Sequence, residues 1–231
     1  MFQGYNQNTV DFMWGIRFNN ERGWFLEHKQ SYVDDFYQPT KELAGQVYDG
    51  LHAAFPREPL ICKVSRIYRD ARRLYGNGPY KDHLWFTIRS GDEDWTGKPT
   101  FWFELGPEAY TYGLGFWAPK PILLETYRAR IDDRPEELAK LVRAFNRQDQ
   151  FRLAGEDYAR PKGDPGKLLY DWYQKKYLML EHAVSPLDER IFDPALADDM
   201  IGGFRTLMPF YRYFNKVVAS VETGDLSRQA K

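Results

Sequence analysis

The chain has 231 residues, enough for one large domain or two small ones with a core that needs no covalent staples. Hydrophobic residues make up 43% and aromatic ones 17%, so the core is expected to be built of Trp, Tyr and Phe, whose hydroxyl and indole groups seek polar partners at its edges. A formal net charge of −1 and a single cysteine, Cys62, exclude a globally basic surface and a disulfide scaffold.

The start MFQGYNQNTVDFMWGIR has no signal-peptide pattern, and no apolar run approaches the roughly 20 residues of a spanning helix, so a soluble cytoplasmic protein with no membrane partner is expected. Thr9 opens a short amphipathic helix over 9–18, with Val10, Met13, Trp14 and Phe18 as its apolar positions and Asn19 and Asn20 as its break. A second helical pattern runs from Glu21 to about Phe36 and is expected to end at Pro39. A third follows to Phe55 through Leu43, Val47 and Leu51.

Pro56 and Pro59 mark a change to extended structure. LICKVSRIYR (60–69), HLWFTIRS (83–90), TFWFEL (100–105) and AYTYGLGFW (109–117) are rich in β-branched and aromatic residues between turn-forming clusters. Nothing between them suggests a crossover helix, so four strands in an antiparallel meander are predicted. After Pro121 the pattern is helical again, through ILLETYRARID and then from Pro135 to Gln148. FRLAGEDYARP reads as a short extended piece and PKGDPGK as a loop, while LLYDWYQKKYLMLEHAV fits helix or strand. A long last helix after Pro194 is expected to kink or break at Gly202, Gly203 and Pro209, and TGDLSRQAK to fray. The expectation is one α+β domain over 1–231: a helical part at 9–55, a sheet at 60–117 and a helical part at 121–222, with the helices packed on the central meander.

Charge is concentrated against the global sign. From Arg57 to Lys81 seven basic residues face two acidic ones, a local +5 that must be neutralised if it is not to destabilise the fold. As a strand, this stretch directs Arg66 to the side of Val64 and Tyr68, where a partly buried guanidinium requires a carboxylate or an anionic ligand. Asp70 lies too far along to pair with it but within reach of Arg69, Arg72 or Arg73 once the chain bends. Gly76 and Gly78 offer backbone N–H groups without side chains in the way, Lys81 adds a point charge, and the arginine forks suit bidentate grip on phosphate or carboxylate. Two readings fit: a clamp for a small anion, or an ion-pair network among Arg66, Arg69, Asp70 and Glu104.

Elsewhere, Gly113 and Gly115 share a strand face with Trp117, leaving room for a helix or a flat ligand. Arg160 and Lys162 place cations on a loop, with Lys175 and Lys176 downstream, which a solvated basic loop also explains. The four histidines lack metal-ligand spacing and no cofactor motif is present. No motif identifies a catalytic residue, although His83, just beyond Lys81, is placed to act as acid or base.

Four segments together resemble the family of domain of unknown function 2461: NNERGWF with Tyr32, the arginine stretch ending in Pro79, Tyr80 and Lys81, YGLGFWAPKPILLETYRARI, and GEDYARPKG followed by LLYDWYQKK. The family's central motif has the form Arg-Asp-x-Arg-Phe-Ser-x-Asp-Lys-x-Pro-Tyr-Lys. Arg69, Asp70, Arg72, Pro79, Tyr80 and Lys81 match it, whereas residues 73–78 depart from it and lack its inner acid and base. The resemblance implies a site at this motif and no particular activity. The expected partner is a small anionic ligand held by Arg66, Arg69, Asp70, Arg72, Tyr80, Lys81 and Trp117, with Arg160 and Lys162 closing over it. A nucleic-acid or protein interaction module is the alternative, and overall acidity disfavours nucleic acid.

Overall fold

In the computed structural model, residues 1–70, 72, 74, 78–91 and 95–223 are described. Helix α1 (Gln7–Phe18) begins in a capping box, in which Thr9 donates its amide to Asn6 Oδ1 at 3.0 Å and Thr9 Oγ1 accepts from the Asn6 amide at 3.2 Å. Its buried side is Thr9, Phe12, Met13 and Ile16, so of the apolar positions expected only Met13 is buried, and Val10, Trp14 and Phe18 lie outside that stripe.

The chain continues through α2 (Arg22–Glu27), α3 (Lys29–Ser31), a π-helical segment (Tyr32–Tyr37) and α4 (Gln38–Ala54). Pro39 therefore does not end a helix; it sits in the first turn of α4. The π segment widens the hydrogen-bond spacing just before it, with the Gln38 amide donating to Val33 O, so the N–H that proline lacks is not needed.

Six strands form one antiparallel sheet in the order β1-β2-β3-β4-β6-β5: β1 (Leu60–Val64), β2 (Leu84–Ser90), β3 (Thr100–Leu105), β4 (Tyr110–Gly115), β5 (Arg152–Ala154) and β6 (Met179–Val184). The four-strand meander is present and gains β6 and β5, paired with Leu153 opposite Leu180. The ambiguous stretch 168–184 is both things in turn: a single helical turn, α7 (Tyr170–Tyr173), and then β6. Neither piece is long enough for periodicity to declare it. The fold is α+β.

Helices α5 (Pro121–Asp133) and α6 (Pro135–Phe145) match expectation, each with proline in its first turn. Helix α8 (Leu196–Thr223) runs unbroken through both glycines and Pro209. Phe204, Leu207, Met208, Phe210, Tyr211 and Phe214 are all buried along it, each contributing about 1.5–3 kcal/mol, which outweighs a proline penalty of about 3 kcal/mol. All but its first residue, the expected frayed tail lies outside the described residues. Among the described residues no helix is long and apolar enough to cross a membrane.

Two compact units are distinguished. The first comprises Met1–Ile88, Trp102–Tyr112 and Ala183–Gly202. Its core is aromatic: Phe12 packs against Phe36, Phe25 stacks on Tyr80 at 4.2 Å, and Phe86 stacks on Phe103 at 5.3 Å. Cys62 lies by the Ala44 carbonyl, and burial, with a smaller effect of Asp49, pushes its thiol up to about 11, far from a reactive thiolate. The second unit comprises Arg89–Phe101, Gly113–His182 and the chain from Gly203. There Trp172 stacks on Phe210 at 5.2 Å, and buried Arg130 forks onto Glu137 Oε2 at 2.9 and 2.6 Å. Gly203 passes so close to the Phe151 ring that a β-carbon would meet it at 2.7 Å.

Candidate functional site

In the first unit the arginine stretch leaves β1 at Val64, earlier than expected, and runs beside the segment that enters β2. Arg69 donates its amide to Pro79 O at 2.8 Å, Lys81 donates to Ile67 O at 2.7 Å, and Tyr68 pairs with Tyr80. The predicted alternation holds, but the buried side is the other one: Ser65 and Ile67 are buried, while Arg66 and Tyr68, expected to face inward together, are exposed.

Asn20 anchors the ribbon. Its side chain accepts from the Tyr80 amide at 3.0 Å and donates to the Tyr80 carbonyl at 2.9 Å, copying the pairing of a neighbouring strand. Gly78 is bare for this reason: a β-carbon there would lie 2.3 Å from Asn20 Oδ1. Arg73 and Gly76 lie outside the described residues.

The Tyr80 carbonyl also accepts from Arg69 Nε at 2.8 Å, so the guanidinium is held at its root. Tyr80 itself is buried, its ring against Phe25, and contributes packing and a backbone acceptor. Arg72 is exposed and closes a fork onto Asp70, at 3.0 Å from Nε and 2.8 Å from the terminal nitrogen, one of the pairings expected once the chain bends. Arg66, Arg69 and Lys81 make no ion pair with a described carboxylate. Lys81 is half-buried with its ammonium 5.5 Å from the centre of the Trp85 ring. Burial, then Arg69, opposed by Glu104, and finally Arg66 bring its pKa down to about 8.

Beside this trio is a chain of hydrogen bonds that the sequence concealed. Arg17, in the last turn of α1, donates Nε to Asp82 Oδ2 at 2.6 Å and lies 3.0 Å from Glu108, which the tight turn between β3 and β4 presents. The other Asp82 oxygen meets His83 Nδ1 at 2.9 Å. The hydrogen bond from His83, opposed by burial and reinforced by Arg17, holds the Asp82 carboxyl well below the usual carboxylate range. An ionised Asp82 can only accept, so Nδ1 carries the proton and Nε2 of neutral His83 is the basic nitrogen. A pocket of about 180 Å³ opens here, lined by Arg17, Asp82, His83, Glu104, Glu108 and Thr111 among others. Of these only His83 and Glu104 stood out in the sequence, since Arg17 and Glu108 lie 65 and 26 positions from Asp82. No group of three metal-ligating side chains occurs among the described residues.

The remaining expected residues lie in the second unit. Trp117 is 61% exposed at the end of β4. Gly115 makes room for neither a helix nor a ligand: a β-carbon there would meet the Leu178 carbonyl at 2.4 Å, so its bareness serves close approach of the adjoining chain. Arg160 is exposed, while Lys162 sits 4.3 Å from the Tyr158 ring centre, with Arg128 at 5.4 Å from the same ring. Buried Gln174 shapes their loop, accepting from the Lys162 amide at 2.8 Å and donating to Gly163 O at 2.9 Å. Lys175 and Lys176 pair with Asp157 and Glu156 at 2.9 Å each.

No curated protein matches the chain. A family model does, described as "Conserved hypothetical protein (DUF2461)", over residues 8–213, a span that includes Arg17, Asn20, the arginine ribbon and Lys162. With most of its length matched, the chain belongs to the DUF2461 family.

Proposed function

We propose that this is a cytoplasmic domain that binds a small anionic ligand, phosphate- or carboxylate-bearing, at Arg66, Arg69 and Lys81, with Tyr80 fixing the ribbon and Asp70 and Arg72 at its outer end. The observation that carries this reading is Lys81: a half-buried ammonium beside two arginines, lowered to about 8, with no ion pair to a described carboxylate. A purely structural network would have placed carboxylates against these cations, as it does at Arg72. An anion held here would relieve their repulsion. Trp117, Arg160 and Lys162, expected from the sequence to join the site, belong to the second unit. His83, its Nε2 basic and its ring oriented by Asp82, would be the proton-transfer group if the ligand is also transformed.

The test is a thermal-shift series with inorganic phosphate, sugar phosphates, nucleotides and carboxylates. One class should raise the melting temperature, a ligand at 100 times its Kd adding about 2.7 kcal/mol. Arg69→Ala should abolish that rise. If Arg69→Ala leaves the rise intact and only lowers stability, the arginines are structural and the proposal fails. The alternative, a nucleic-acid or protein interaction module, draws on exposed Tyr68 beside the same cations. It requires single-stranded nucleic acid or a partner to bind with an affinity that falls by orders of magnitude as salt rises.

A further inference from the structure

The first unit carries a second feature, independent of the cation trio, along the outer stripe of α1. Val10 and Trp14, four residues apart on that helix, form one wall of a groove of about 610 Å³. Pro186, Leu187 and Phe192, from the segment that follows β6, line it as well. The apolar surface continues past the groove: Phe18 stacks on Trp14 at 5.7 Å and is 74% exposed. Phe18 thus extends the apolar lining of the groove onto the open surface beside it.

The groove's charge has one sign. Its charged lining residues are Glu108, Asp188 and Glu189, with no lysine or arginine among them. The adjacent arginines are already committed, Arg17 to Asp82 and Glu108, and Arg190 to Asp193 and Asp199. It has neighbours: a hollow of about 540 Å³ shares Glu189 and Phe192 with it, and the His83 pocket shares Pro107 and Glu108. Hollows that adjoin it through two different pairs of residues suit an extended chain better than a compact metabolite.

We infer that this groove docks an extended segment of a partner protein in which basic and apolar side chains alternate. In an extended chain successive side chains point to opposite sides at about 3.3 Å per residue, so one set can meet the apolar wall at Val10 and Trp14 while the other reaches the carboxylates of Asp188 and Glu189. The same carboxylates repel a nucleic-acid backbone or an anionic lipid surface.

The test uses the full chain and fluorescein-labelled peptides of about ten residues, read by anisotropy. A Lys/Leu alternating peptide should bind saturably with one peptide per chain, and Glu/Leu and Lys/Ser versions should bind at least about tenfold more weakly. Glu189→Lys, at an exposed position, and Val10→Asp should each weaken the Lys/Leu peptide by about tenfold with the melting temperature retained, while Arg69→Ala should leave it unchanged. Equal binding of the Lys/Ser peptide, or wild-type affinity in both groove variants, would overturn the inference. So would reversible self-association that Glu189→Lys abolishes, which would assign the groove to a second copy of the chain.

Discussion

Asn20 grips the backbone of Tyr80 from both sides, accepting from its amide at 3.0 Å and donating to its carbonyl at 2.9 Å. That carbonyl is the one on which Arg69 Nε rests. A residue that reads as a helix breaker therefore sets the position of a guanidinium 49 positions along the chain.

Asn20→Ala removes both bonds and leaves the part-buried Tyr80 amide without its partner, at a cost of about 1–3 kcal/mol. Urea unfolding should show a lower midpoint with an unchanged slope. Any anion-induced thermal shift should shrink as well, because Asn20 no longer fixes the Tyr80 carbonyl to which Arg69 Nε donates. An Asn20→Ala protein as stable as wild type would mean that the Arg69 and strand contacts hold the ribbon alone.

Lys81 carries a pH signature of opposite sign to that of a structural salt bridge. Its folded value, about 8, lies below the unfolded value of about 10.4, so burial of the charged form is a penalty in full force below pH 8 and relieved as pH rises through that window. Wild-type stability should gain a component between pH 8 and 10 that Lys81→Met lacks. At pH 7 without ligand, Lys81→Met should melt at or above the wild-type temperature, yet lose the anion-induced shift. Loss of stability in Lys81→Met at pH 7 would count against a ligand-directed role.

Asp82 behaves in the opposite sense. Its folded pKa is depressed, first by the His83 hydrogen bond and also by Arg17, so its contribution is complete above the unfolded value of about 3.9 and is lost as pH falls below that toward the folded value. Asp82→Asn should be less stable than wild type at pH 7, and the gap should narrow in acid. In nitrogen-15 spectra of the neutral imidazole, His83 should be the Nδ1–H tautomer in wild type and a mixture in Asp82→Asn. A wild-type ring already mixed would show that Asp82 does not orient it.

The amino-acid order alone determined α1, α5, α6 and the first four strands, because proline and glycine punctuation and apolar spacing act within a few residues. It also located the cation stretch, since clustering of charge is visible without a fold. Only tertiary structure decided which cations stay unpaired. Arg72 finds Asp70 two residues away, whereas the surroundings of Lys81 depend on a ribbon pinned by Asn20 and on Glu104 from another strand. The continuity of α8 through Pro209 belongs to the same class: local propensity argues for a break, and burial of one side of the helix overrides it. The Arg17–Asp82–His83 chain was invisible for the same reason. A hydrogen bond extends about 3 Å, and only folding brings residues 82 and 108 within that distance of Arg17.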